Sequence, residues 1–210
     1  MTPFTFFATH RWEIFSTTLE HLELVLLSML IAVAIAIPLG ILIVQRTALR
    51  TVSLAIASVF QTIPSLALFG FLIPIPFIGG IGKRTAVVAL VLYALLPILR
   101  NTYVGLTGID PAVLEAATAM GMTPGQVMLR VRLPLALSVI LAGIRTATVI
   151  TIGVATIAAA IGAGGLGTFI FRGVAMVSDA VILAGAIPAA LLALLADGLL
   201  ALLERRLRVS

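Results

Sequence analysis

LELVLLSMLIAVAIAIPLGILIV, residues 22–44, holds a single charged side chain, Glu23, in an otherwise apolar run. A helix rises about 1.5 Å per residue, so this run reaches about 35 Å, enough for a hydrocarbon core of about 30 Å. A helix on the surface of a soluble core keeps a polar face, and this one has none. Four further stretches read the same way: 52–75, 85–106, 135–161 and 180–203. The expected fold is an all-α integral membrane protein with about five transmembrane helices, a single transmembrane domain over residues 1–210. The second stretch runs through Pro64, Pro74 and Pro76, so its outer end is expected to be irregular, with a re-entrant piece near 74–84 as the alternative.

Composition supports the same class. The chain is 61% hydrophobic and 10% charged, against about 45–50% and about 25% in soluble domains. Its net charge of +5 does not point to nucleic acid, because the cations are scattered between apolar runs rather than gathered on one face. They fall at the ends of spans, as the positive-inside rule expects. With the N-terminus outside, the inner segments hold Arg46, Arg50, Arg100, Arg130, Arg132, Arg205, Arg206 and Arg208. The outer segments hold Arg11, Lys83, Arg84 and Arg172. Eight against four favours N-out, C-in. No cleavable leader is apparent, since Arg11, Glu13 and Glu20 interrupt the first residues. With no cysteine and only His10 and His21, both ahead of the first apolar run, neither a disulfide framework nor a metal site is expected. Trp12 beside Arg11 suits an interfacial anchor.

The longest polar stretch, 107–134, falls on the inner side. Asp110 suits a helix N-cap with Pro111 at the first helical position. Gly121 suits the stop, and Thr123-Pro124 suits the start of a second short helix. The reading is helix, turn, helix: a structured cytoplasmic loop and a candidate docking surface.

Within it stands EAATAMGMTPGQVMLRVRLP, residues 115–134. Glu115, Ala116 and Ala117 are followed after three residues by Gly121, and after nine more by Val131, Leu133 and Pro134. This resembles the EAA loop of binding-protein-dependent ABC importer permeases, with every spacing met and Val131 where the family pattern has isoleucine. The resemblance runs from about Leu22 to Arg206. It implies a type I ABC importer permease fold whose loop carries a coupling helix lying in a groove of an ATPase subunit. Ala116 and Ala117 would keep that helix's face small, Gly121 would permit the turn, and Pro134 would open span four. QTIPSLALFGFLIP (61–74), LLPILRNTYVGL (95–106) and GIRTATVITIGVATIAAAIGAGGLGTFIFRGV (143–174) resemble the osmoprotectant branch, which imports glycine betaine, choline, carnitine and related quaternary amines. Methionine permeases carry a stretch similar to GAGGLG, so methionine or another small solute is the alternative.

The resemblance also implies the partners. They are ATPase subunits, a second permease copy or similar paralogue, and a periplasmic or lipid-anchored binding protein, in a bacterial inner membrane. No GxxxxGK[ST] phosphate loop is present, so ATP and Mg are expected on the ATPase and no cofactor here. Cation–π cages for quaternary ammonium use clustered aromatics. Trp12, Tyr93 and Tyr103 are dispersed, which places high-affinity recognition on the binding protein.

Other candidates lie within the spans. Gln61, Thr62 and Pro64 would line a path or satisfy backbone groups freed by the proline. Asn101 and Tyr103 suit bundle packing. Arg145 in span four and Asp197 in span five are costly in a membrane unless they face protein or water. They either pair with each other, or Arg145 lines the path. Gly162, Gly164, Gly165 and Gly167 read as a tight re-entry, or as part of an outer gate. A secondary transporter would show repeats or more intramembrane charges. An intramembrane enzyme would need a dyad or metal cluster within the spans. The sequence offers neither.

Overall fold

A computed structural model describes residues 3–207. Arg208, counted above among the inner cations, lies outside the described residues. Among the described residues, four helices are long and apolar enough to cross a membrane, and a bent pair makes a fifth crossing if counted as one span.

The chain opens with a short helix α1 (Pro3–Thr9) and then α2 (Arg11–Val44). Helix α2 begins well before the apolar run, so the charged segment carrying Glu13, Glu20 and His21 is helical too. Phe6 of α1 packs edge-to-face on Phe169 with ring centroids 6.4 Å apart, tying the first residues to the far end of the sequence.

The stretch expected as one span over 52–75 is instead two helices, α3 (Thr47–Thr62) and α4 (Ser65–Leu72), bent by 105°. The bend falls at Pro64, and the chain leaves helix again after Leu72, just ahead of Pro74 and Pro76, at the expected irregular outer end. Proline disfavours helical geometry in the residue before it, and Ile63 is extended (φ −69°, ψ 128°). The Tyr93 hydroxyl donates to the Ile63 carbonyl left over at the break. The segment that follows, 73–82, folds back through Gly79 N–H to Ile75 O and Gly80 N–H to Ile73 O.

Helix α5 (Lys83–Thr107) is the centre of the bundle. Ala86, Ala89, Leu90, Ala94 and Ile98 are fully buried on it, and it packs between α2 and the helix that follows the polar loop. That loop holds α6 (Pro111–Ala119) and α7 (Pro124–Val127). A π-helical turn, Met128–Arg132, joins α7 to α8 (Leu133–Ile157). Helix α8 ends in a 3-10 turn, Ala158–Ile161, and a glycine-rich loop leads into α9 (Gly167–Ala175) and α10 (Asp179–Arg206).

Close approach fixes the α5–α8 crossing. A Cβ on Gly143 would stand 2.6 Å from Asn101 Cβ and 2.8 Å from Pro97 O, nearer than carbon atoms settle. Only glycine lets α8 lie this near α5.

Candidate functional site: the polar loop, the ion pair and the glycine turn

The polar loop is built by local capping. Asp110 Oδ1 accepts from Ala112 N–H at 2.9 Å, with Pro111 at the first helical position. At the other end, Met122 N–H donates to Ala117 O (3.2 Å) and Gly121 N–H to Thr118 O (2.9 Å). Together these close the six-to-one and five-to-two bonds of a Schellman motif. Gly121 takes φ +81°, a left-handed geometry costly for other residues. Thr123 and Gln126 then form a capping box that starts α7.

This arrangement places the residues of the EAA pattern. Glu115 and Ala116 are exposed, whereas Ala117 is buried, so the two alanines do not share one free face. Val131 lies in the π-helical turn, and Leu133 packs against the cluster of Leu106, Met128, Ala136 and Ile140. Pro134 is the second residue of α8, but α8 is not a fresh start: helical residues precede it without a break. Leu133 N–H reaches back to Met128 O across the π-turn. The widened turn sits directly ahead of a proline that has no N–H to give. Arg132 Nη1 donates to Leu106 O at 2.9 Å, capping the last turn of α5. A groove of about 520 Å3 between α6, the π-turn and the adjacent ends of α2 and α5 is lined by Gln45, Thr107, Leu114, Met122 and Arg132, among others.

Arg145 and Asp197 are brought together. Nε donates to Oδ1 at 2.6 Å and Nη2 to Oδ2 at 2.7 Å, the bidentate geometry that arginine offers a carboxylate. Glu204 Oε2 lies 3.6 Å from Arg145 Nη1. The Arg145 and Asp197 side chains remain 33% and 40% exposed.

At the opposite end of the bundle from the polar loop, Gly162, Gly164 and Gly165 all have positive φ. They wrap the start of the α2 core. Gly165 N–H donates to Glu20 Oε2 at 3.2 Å, and a Cβ on Gly165 would stand 3.1 Å from His21 Nδ1. Gly167 opens α9 against the Thr156 carbonyl. Two ion pairs flank this end, Lys83–Glu23 at 2.7 Å and Arg172–Glu13 at 2.9 Å.

Gln61 is half-buried. Thr62 is exposed and turns its hydroxyl to its own helix at Val59 O (2.8 Å). Asn101 Nδ2 donates to Pro97 O at 2.8 Å. Tyr103 accepts from Arg50 Nη1 at 2.7 Å, with the guanidinium 5.5 Å from its ring centroid. Among the described residues, no group of three or more His, Asp or Glu is placed to share a metal ion.

Sequence reading missed His21, which is fully buried within α2 rather than ahead of the bundle; its Nε2 sits 3.2 Å from Ile152 O. It also missed the Tyr93–Ile63 bond and the π-turn. A lone histidine one position before an apolar run was the available signal for the first, and the second and third had no local signal.

These features define a multi-spanning membrane subunit with one structured polar loop at one end of the bundle. Residues 25–209 match the family model described as binding-protein-dependent transport system inner membrane component, and the chain belongs to that family. It is 42% identical over 202 residues to the choline transport system permease protein OpuBB of Bacillus subtilis (strain 168), covering 96% of this chain and 92% of that one. It is 46% identical over 204 residues to the glycine betaine/carnitine/choline transport system permease protein OpuCD of the same organism, covering 97% and 88%. A solved inward-facing structure of the MetNI methionine ABC transporter superposes with a TM-score of 0.84 at 27% identity, covering 95% of this chain and 98% of that one.

Proposed function

We propose that this chain is the membrane-spanning permease subunit of an ATP-driven importer for quaternary-ammonium osmoprotectants such as glycine betaine, choline and carnitine. The observation that carries the reading is near-full-length identity of 42% and 46% to permeases named for those solutes. Methionine is the weaker alternative: the MetNI likeness stands at 27% and supports a shared fold.

In this reading the subunit works beside a second copy or a similar paralogue. ATPase subunits that bind ATP and Mg dock on the loop containing Glu115, Ala116, Ala117 and Gly121, with Val131, Leu133 and Pro134 leading into α8. A binding protein delivers solute at the glycine-turn end, which faces outward, with the N-terminus out and the C-terminus in. Closure of the ATPases moves the loop, and the rigid capping of α6 and α7 passes that movement to α5 and α8.

The test is uptake of labelled glycine betaine at high osmolarity in a strain without redundant importers. The strain is compared with and without this gene and with Gly121→Val. Loss in both mutants, with the variant protein still in the membrane, is the expected result. Unchanged uptake without the gene removes the osmoprotectant assignment. Normal transport by Gly121→Val removes the coupling role of the loop.

A further inference from the structure

Arg145 is the middle residue of α8, and Asp197 lies in the second half of α10. Both helices are apolar enough to cross a membrane, yet a third or more of each side chain is exposed. An ionised pair facing hydrocarbon is costly, so exposed intramembrane charges face water or protein. Leu194 is exposed about 60° around α10 from Asp197, and the lipid side is marked by four further exposed leucines, Leu191, Leu195, Leu199 and Leu202. At 100° per residue these point roughly 150° away from Asp197. The pair opens into a cavity of about 320 Å3 whose walls include Ala142, Thr146, Val149, Ile150 and a second carboxylate, Glu204.

We infer that this cavity is a solute station on the translocation path, and that Arg145 and Asp197 recognise the two ends of a quaternary-ammonium zwitterion. This rests on the importer reading given above. Arginine has five N–H donors in a planar fork. Asp197 takes Nε and one proton of Nη2, and Glu204 Oε2 lies 3.6 Å from Nη1, which leaves one proton on each of Nη1 and Nη2 for a solute carboxylate. A trimethylammonium group offers no hydrogen-bond donor and needs only a nearby anion and apolar walls. The Asp197 and Glu204 carboxylates supply the first, and Val149 and Ile150 the second. The pair satisfies itself when the station is empty, so the charges have partners between transport cycles. A cationic solute without a carboxylate uses the Asp197 half alone.

The absence of cysteine from the chain gives a direct test in the assembled importer. Thr146→Cys and Leu195→Cys are each exposed to a water-soluble thiosulfonate bearing a trimethylammonium group, and to an uncharged one of similar size. At the station, Thr146→Cys reacts with both reagents and Leu195→Cys with neither. Adding Asp197→Asn to Thr146→Cys slows the cationic reagent about fivefold relative to the neutral one, because a carboxylate within several ångströms of the thiol no longer attracts it. Thr146→Cys that resists both reagents in the resting and the ATP-trapped states overturns the inference: the face is then covered by another subunit. Equal slowing of both reagents overturns the charge role. The Thr146→Cys arm leaves the ion pair intact, so it stands even where Asp197→Asn fails to assemble. Labelling needs no knowledge of the natural solute. Failure of wild-type glycine betaine uptake, by contrast, strikes the proposed function directly.

Discussion

Replacing Gly121 separates backbone geometry from side-chain contact in the polar loop. Gly121 has φ +81°, and a Cβ built there meets nothing within 4 Å. Substitution is therefore penalised by conformation alone. An L-residue in the left-handed region costs about 1–2 kcal/mol. Asparagine tolerates that region, and β-branched residues tolerate it least. A penalty of 1–2 kcal/mol corresponds to a factor of roughly 5–30 in an equilibrium. The Schellman closure at Ala117 and Thr118 would lose that much stability, and with it the fixed angle between α6 and α7. The assay is the affinity of the purified permease for the proposed ATPase subunits, read beside solute uptake normalised to membrane protein. Gly121→Asn should remain close to wild type, Gly121→Ala should fall by about the factor given, and Gly121→Val should fall further. If Gly121→Asn is as damaging as Gly121→Val, the left-handed turn is not what the position supplies, and a contact across the interface is. If Gly121→Ala is neutral, the turn geometry does not matter to docking.

On α8, Gly143→Ala should lower the unfolding midpoint of the detergent-purified protein, at a cost of about 1–3 kcal/mol for overpacking against Asn101 and Pro97. Gly153→Ala, whose Cβ meets nothing within 4 Å, should instead be neutral or gain about 0.5–1 kcal/mol of helix propensity; equal effects would refute the close crossing. Tyr93→Phe removes the donor to Ile63 O and should cost about 1 kcal/mol, seen as faster hydrogen exchange around residues 61–68 with the α5 interior unchanged. Asp110→Ala should destabilise α6 by about 1 kcal/mol through loss of its N-cap, with Asp110→Asn close to neutral. Hydrogen exchange over residues 111–119 reads this directly.

The parts of the molecule that sequence reading located are those whose cause is local. The caps of α6 and α7 use residues within six positions of one another. Asp110 with Pro111, Gly121, and Thr123 with Pro124 therefore announce themselves in order. Apolar runs likewise mark the spans, because backbone polarity in lipid leaves little choice but helix. Prolines show the limit. Pro38, Pro97 and Pro188 all remain inside long helices, while Pro64 breaks one. At Pro64 the freed Ile63 carbonyl is taken up by a hydroxyl thirty residues further on, Tyr93, a partner that no local window contains. His21 was misplaced for the same reason. The groups that bury it, Ile152 and Gly165, come from α8 and the glycine turn, and hydropathy over a window cannot see them. The Arg145–Asp197 pair lay between these cases. Its cost in a membrane made a partner necessary, and each residue was the other's most plausible counter-charge.

The join between the polar loop and α8 bears on how the proposed coupling would work. A flexible linker there would let α6 and α7 move without moving α8. The chain instead runs from Pro124 to Ile157 with no non-helical residue. Its single irregularity is the π-turn at Met128–Arg132, set just ahead of Pro134. A π-turn widens a helix without releasing it, and a proline removes one bond of the following turn. Together they concentrate bending at one place in an otherwise stiff element. Arg132 lies inside that turn and is tied to Leu106 at the end of α5. Any displacement of α7 therefore acts on two spans at once, through α8 covalently and through α5 by a charge-assisted hydrogen bond. That is the connectivity a subunit needs if one docked helix is to shift a bundle rather than a single strut.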